Sequence, residues 1–330
     1  MTDKGDAIAA QVRAMARGPS RGRNLDRDEA RDAMTAILAG DAAPEAVGAL
    51  FMLMRYRGEV AAEIAGFVDA LRMRLSSWRD SGAAVDWPSY AAGRTRGLPL
   101  FLLAAKLVAR SGRAVLLHGW NSHMTHPVTT AKGAAALGIA SVDTPKEARA
   151  ALASDGIAYV SLTAMDDEIL RLLRLRDVLG LRSPLNTALR ALNPGGAETS
   201  VQGVFHPSYR ALQTDAARLL DQPAMGVIKG GGGEFERHPG KGVELYGYNV
   251  VGPFDEVMAP LAEERRRMRA DDGELTPAML AALWSGARED AFARDVVIAT
   301  AGAALFIAGG CETLARAEAQ AAALWSDRHD

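Results

Sequence analysis

The sequence predicts an α/β protein: a small N-terminal helical bundle domain plus a larger α/β domain with a mainly parallel sheet. Three observations carry that prediction. Through residues 1–80 the apolar positions recur at helical spacing, without strand-like alternation. From Val85 onward, short apolar runs alternate with helical stretches, the pattern of strand–helix–strand units. The chain has 330 residues, 48% apolar and 24% charged, enough for one large domain or two unequal ones and ordinary for a globular protein.

Each element follows from local chemistry. Asp26-Arg27-Asp28-Glu29 opens a helix through Leu38, with acids at the positive end of the helix dipole, and Gly40 closes it. Pro44 starts a second helix, whose inward face is Val47, Leu50, Phe51 and Met54, and which ends before Gly58. A third runs from Val60 to about Leu75, turning Ile64, Phe67, Val68 and Leu71 inward. These helices define a domain over 1–80. A helix expected from about Asp167 to Leu179 returns to it, so residues 165–192 join that domain. The α/β domain takes 85–162 and 193–330. Within it Ala114–Leu117, Ala158–Leu162 and Met225–Ile228 read as buried strands, with helices over Leu98–Ala109 and Pro207–Leu220. The apolar run Val296–Gly310 is too short for a bilayer and reads as a buried helix, packed tightly through Gly302.

Charge and cysteine content narrow the function classes. A formal net charge of −2 gives no bulk attraction to nucleic acid or anionic membrane, so any basic site is local. The single cysteine, Cys311, excludes an internal disulfide and a cysteine-based zinc cluster. MTDKGDAIAA lacks the apolar core of a signal peptide. The expected location is the cytoplasm, with no membrane partner.

Five segments are candidates for chemistry. The loop 91–97 carries Gly93, Arg94, Arg96 and Gly97 with no acid, and runs into an apolar helix. It has neither a Walker lysine nor dinucleotide spacing. It reads either as a phosphate cradle of backbone N–H and guanidinium groups, or as a plain connection with exposed arginines. A second loop, Lys229 to Glu236, holds four consecutive glycines and then Glu234 and Glu236. Those acids read as magnesium ligands or as solvated acids of a mobile surface loop. His118, His123 and His126 lack a standard zinc spacing and have no acid among them. His118 is instead expected to orient a loop beside Gly119, with Trp120 offering a stacking face. Finally, Arg13, Arg17, Arg21 and Arg23 have no intervening acid, and Arg171, Arg174, Arg176, Arg182 and Arg190 face Asp177 alone in their span. Both groups read as solvated faces or as phosphate-binding stripes.

Taken in order, these segments resemble the anthranilate phosphoribosyltransferase family, also called glycosyltransferase family 3, over nearly the whole chain. NLDRDEARDAMTAILAGDAAPEAVGALFMLMRYRGEVAAEIAGFVDALR resembles its helical domain. LGLRSPLNTALRALNPGG is similar to its arginine, asparagine and Asn-Pro segment, here Arg182, Asn186, Asn193 and Pro194. VQGVFHPSYRALQTDAARLL and AREDAFARDVVIATAGAALFIAGG resemble the following strand–helix and the C-terminal helix. The resemblance implies a homodimer joined through the helical domain. It also implies a cleft that, in active members, holds phosphoribosyl pyrophosphate with magnesium and an amine acceptor. His118, Gly119 and Arg182 match the acceptor site.

The catalytic motifs depart from the family's. Its Gly-Thr-Gly-Gly-Asp-Gly loop is Ala-Ala-Gly-Arg-Thr-Arg-Gly here, its Lys-His-Gly-Asn is Leu117-His118-Gly119-Trp120, and its Asp-Glu metal pair is Phe235-Glu236. The departures resemble a side branch that keeps the scaffold and binds nucleic acid. The leading expectation is therefore a nucleic-acid binder without tryptophan-biosynthetic activity. In that reading Arg13, Arg17, Arg21, Arg171, Arg174 and Arg176 contact phosphates and Trp120 stacks on a base. A transferase with an altered donor or acceptor is the alternative, and a structural paralogue the third; whether the chain is an enzyme stays open. No cofactor is expected, except Mg2+ if phosphoribosyl pyrophosphate is bound, and the cleft can still take a small molecule.

Overall fold

The capping chemistry read from the sequence sets the helix boundaries at the N-terminus. In the computed structural model, which describes residues 7–18, 20–90, 97–120, 127–261 and 275–329, four helices open the chain. They are α1 (Ala9–Ala16), α2 (Arg27–Ala39), α3 (Pro44–Arg57) and α4 (Ala61–Arg74). Asp26 accepts the Glu29 N–H while the Glu29 carboxylate accepts the Asp26 N–H, a reciprocal cap, and Gly40 ends α2 in the left-handed region at φ 76°. Glu63 is fully buried because its carboxylate accepts the N–H groups of Leu25 and Val60, tying α4 to the start of α2.

The helix expected over 167–179 is two pieces, Asp167–Leu173 and Leu175–Leu179. Arg174, at ψ −8°, falls short of helical ψ and opens the hydrogen-bond ladder there. Both pieces precede the helix Leu185–Arg190, and residues 162–192 share one apolar cluster with the N-terminal helices.

The sheet has eight strands: β1 (Val85–Ser89), β2 (Val115–Gly119), β3 (Ala140–Ser141), β4 (Ile157–Ser161), β5 (Thr199–Val204), β6 (Ala224–Lys229), β7 (Val243–Asn249) and β8 (Gly252–Met258). Their order is β3-β4-β2-β1-β5-β6-β7-β8. The first six in chain order pair in parallel, and β7 and β8 close one edge as an antiparallel hairpin that the sequence reading did not mark. Pro88 sits within central β1, where proline is unusual; the β1–β5 pairing stops at Asp86, before it. One sheet face packs on the helices Phe101–Arg110, Ala291–Ile307 and Leu314–Ser326 through Trp87, Leu103, Leu117, Val201 and Val297. The other face, through Leu116 and Val160, meets the N-terminal helices. A Cβ on Gly302 would lie 2.7 Å from the Glu318 side chain, the close helix–helix approach expected of that residue. Among the described residues no helix is long and apolar enough to cross a membrane.

Candidate functional site

Parallel strands end together, and the crevice outside their carboxyl ends is where open α/β sheets bind ligands, at the strand where connections diverge. Here that strand is β1, flanked by β2 and β5. The loop leaving it contains Gly93, Arg94 and Arg96, which lie outside the described residues, as do His123 and His126. Gly97, the last residue of that loop, has φ +76°, a backbone that side chains disfavour.

At the strand ends, Ser89 Oγ lies 2.8 Å from Thr130 Oγ1 and donates to Glu234 Oε1 at 3.1 Å. Gly119 is required beside it, because a Cβ there would meet Ser89 O at 1.9 Å. The four-glycine loop is folded inward rather than left loose on the surface. Gly230 has its would-be Cβ 1.6 Å from Glu234 O, so the chain doubles back on itself where only glycine fits. Phe235 is fully buried, edge-on to Trp87 at 5.4 Å, and Trp87 stacks on Phe101 at 6.5 Å. That anchor pulls both neighbouring acids out of solvent.

The solvated-acid reading of Glu234 and Glu236 is therefore corrected: they are 1% and 0% exposed. Glu236 Oε2 accepts the Phe101 N–H at 2.9 Å and so caps the start of the helix Phe101–Arg110. As it stands this pair offers a magnesium-bridged pyrophosphate at most one oxygen from each carboxylate. One oxygen of each carboxylate is held by the protein, and the described residues contain no group of three His, Cys, Asp or Glu side chains able to hold a metal.

On the opposite face of β1 and β2 runs a buried polar chain. His118 is fully buried, its Nδ1 3.1 Å from Tyr90 OH, and its Nε2 3.0 Å from Asp86 Oδ1, within ion-pair range but misaligned for a hydrogen bond. Asp86 Oδ2 accepts from Ser200 Oγ at 2.8 Å. Burial raises the Tyr90 phenol well above its ordinary value, so it stays protonated. His118 sits inside β2, facing the interior, where it meets Tyr90 just ahead of the loop 91–97. Trp120, one step past β2, is half-buried against the helical-domain cluster.

Above this chain the cleft is electropositive. Arg190 is nearly buried and donates to Tyr90 O at 3.0 Å. Burial lowers its guanidinium, an effect opposed by nearby Glu234. Burial, then the charges of Arg190, Arg176 and Arg55, lower the Arg182 guanidinium to about 10. Arg55 donates to Tyr209 OH, which donates to Glu59 at 3.0 Å. Arg190, Arg176 and Arg55 thus lie within electrostatic reach of Arg182, although Arg55 is paired with Glu59 at 3.6 Å and Arg176 lies 3.9 Å from Asp177.

The two arginine segments differ. Arg17, Arg21 and Arg23 line a groove of about 260 Å³ along α1. Arg23 is clamped to Glu29 by two 2.5 Å bonds, whereas Arg13, Arg17 and Arg21 are exposed with no ion-pair partner among the described residues. Arg171 pairs with Glu168 at 2.6 Å, and Arg174 and Arg176 lie 3.6 and 3.9 Å from Asp177. The sequence reading missed Glu168 as a partner because it precedes the arginines by one helical turn. It also missed Asp86, Ser89, Thr130, Arg55 and Tyr209. Only Asp86, an acid inside an apolar strand, carried a local signal.

Residues 19–74 match the helical bundle domain of the glycosyl transferase family. The chain is 30% identical over 300 residues to the anthranilate phosphoribosyltransferase of Afipia carboxidovorans, spanning 89% of this chain and 88% of that one. It is 29% identical to that of Rhizobium rhizogenes, over 88% and 86%. Among solved structures, anthranilate phosphoribosyltransferase from Thermus thermophilus superposes with a TM-score of 0.82 at 24% identity, over 98% and 95% of the two chains. The Saccharomyces cerevisiae enzyme in complex with PRPP and Mg superposes at 0.78 and 14%, over 99% and 95%. These structural likenesses concern the fold: a helical bundle domain beside an α/β domain with a mainly parallel sheet.

Proposed function

The chain belongs to the anthranilate phosphoribosyltransferase family of glycosyl transferases, and from that premise we propose that it is a divergent cytoplasmic member which has lost tryptophan-biosynthetic transfer and binds nucleic acid through the phosphate backbone. The observation that carries the reading is that Arg13, Arg17 and Arg21 are exposed and without ion-pair partners among the described residues, Arg17 and Arg21 lining a groove in the helical domain. Phosphate contacts of this kind need guanidinium groups that are not already neutralised. Arg171, Arg174 and Arg176 contribute less, because Glu168 and Asp177 compete for them. The loop of Gly93, Arg94, Arg96 and Gly97 is assigned to phosphate in the same reading, and half-buried Trp120 to base stacking.

Loss of transfer is supported by the internal use of the glutamates: Glu234 receives Ser89 and Glu236 caps a helix, where pyrophosphate departure needs metal-held charge. Homodimerisation through the helical domain is supported by Tyr56, Val178 and Leu181, which are 91%, 82% and 56% exposed.

A second reading, a transferase with an altered donor or acceptor, is favoured by the Arg55, Arg176, Arg182 and Arg190 group in the cleft. Calorimetric titration with phosphoribosyl pyrophosphate and magnesium separates the two. No saturable heat is expected, and product formation with any nitrogen acceptor would replace the first reading by the second.

A further inference from the structure

At the end of the sheet opposite the cleft, where β5 and β6 begin, lies a second cavity of about 180 Å³. Its walls come from both parts of the molecule: Arg72 and Arg79 from the end of α4 and the turn beyond it, Asn193 and Glu198 from the segment before β5, Asp221 and Gln222 from the turn before β6. The scaffold is built from its own hydrogen bonds. Asn193 Nδ2 donates to Ala197 O at 2.7 Å and to Gln222 Oε1 at 2.8 Å, and Gln222 Nε2 donates to Glu198 O at 2.8 Å. Three non-glycine residues among those described hold a left-handed backbone, and all three are here. Asn193 (φ 43°) and Asp221 (φ 53°) line the cavity, and Asp80 (φ 61°) directly follows Arg79. Such conformations cluster where a fixed shape is needed.

The charges around the cavity are not spent on one another. Arg72 donates to the carbonyls of Leu192 and Ala191 at 2.8 and 3.3 Å but has no ion pair, and neither do Arg79, Glu198 or Asp221 among the described residues. Burial lowers the Arg72 guanidinium from its usual range; the Asp86 charge opposes this and the smaller effect of the Arg79 charge adds to it. Two guanidinium groups within electrostatic reach of each other, neither with a carboxylate at ion-pair distance, suit a planar anion. Two carboxylates on the remaining wall suit a cation. A cavity of about 180 Å³ is many times the roughly 10–15 Å³ that one water needs, enough for a small molecule.

We propose that this cavity is a binding site for a small zwitterionic carboxylic acid of the α-amino-acid class, its carboxylate between Arg72 and Arg79 and its ammonium toward Glu198 and Asp221. A ligand there bridges the helical part and the sheet, and ties them together at the end remote from the cleft. The site does not depend on the nucleic-acid reading.

The test is thermal unfolding of the whole protein with each common free L-amino acid, and with acetate and methylammonium as single-charge controls. One or a few amino acids raise Tm in a saturable way, the controls do not, and Arg79→Gln and Asp221→Asn each weaken the effect by about tenfold or more. Both variants remove a charge and keep a polar side chain, and asparagine suits the left-handed backbone at 221. Glu198→Gln replaces Asp221→Asn if the latter lowers the ligand-free Tm. The proposal is overturned if no amino acid shifts Tm, if acetate shifts it equally, or if the variants respond like the parent.

Discussion

Two arginine-rich segments of this chain look alike in sequence and differ in their surroundings. Arg13, Arg17 and Arg21 stand exposed along α1 without acidic partners among the described residues. Arg171, Arg174 and Arg176, on the broken helix at 167–179, each have a carboxylate within 4 Å. The difference matters because phosphate binding by arginine is a competition: a guanidinium already paired must give up that partner. Counting arginines along a chain therefore overstates the binding power of a helix whose preceding turn is acidic.

The largest expected effect isolates the cleft from this surface. Phe235→Ala removes the ring that anchors the glutamate loop against Trp87, and should destabilise the fold by about 3–5 kcal/mol in urea unfolding. Below its transition it should bind oligonucleotide like the parent; a parallel loss of affinity would move the binding surface to the sheet end. Next in size, alanine at Arg13, Arg17 and Arg21 together should lower the slope of log K against log salt by about 2, at about 0.7 per single-strand phosphate, with Tm unchanged. The pair Arg171→Ala and Arg174→Ala should lower it by less than about 0.7, and an equal fall in the two variants would erase the contrast.

Smaller changes sharpen it. Glu168→Gln frees Arg171 and should tighten oligonucleotide binding by roughly two- to threefold, the scale of one exposed ion pair. Smallest of all is an acid effect. The hydrogen bond from Arg23 lowers the Glu29 carboxyl below 4.5. The stability it contributes is present above its unfolded value and lost as pH falls through the lower folded value. Glu29→Gln should flatten that acid limb in urea unfolding curves taken from pH ~7 down to ~3, and leave Arg23 available to phosphate. Unchanged curves would mean that Arg23 and Glu29 are not coupled in solution.

The N-terminal helical boundaries, the parallel strands β2, β4 and β6 and the buried C-terminal helix were legible because each has a local cause: an Asp26 cap, a Gly40 stop, an apolar run at Val115 or Val227. Strand β1, whose Asp86, Pro88 and Ser89 break the apolar run, was not marked. The β7–β8 hairpin was not, since Tyr246 and Tyr248 alternate with small or polar residues that also suit loops. At the site, the loops and their glycines were legible, and the direction of Glu234 and Glu236 was not. Their burial depends on Phe235 finding Trp87, a contact between residues far apart in the chain. The pairing of His118 with Asp86 and Tyr90 likewise needs the register of β1 against β2, which places Pro88 beside His118.

The most direct test of the central claim is the binding of a fluorescent single-stranded oligonucleotide, followed by anisotropy at low and at physiological salt. The account predicts saturable binding that weakens steeply with salt, and a shallower dependence once Arg13, Arg17 and Arg21 are replaced. Absence of binding at low salt, or binding indifferent to salt and to those three arginines, would contradict it.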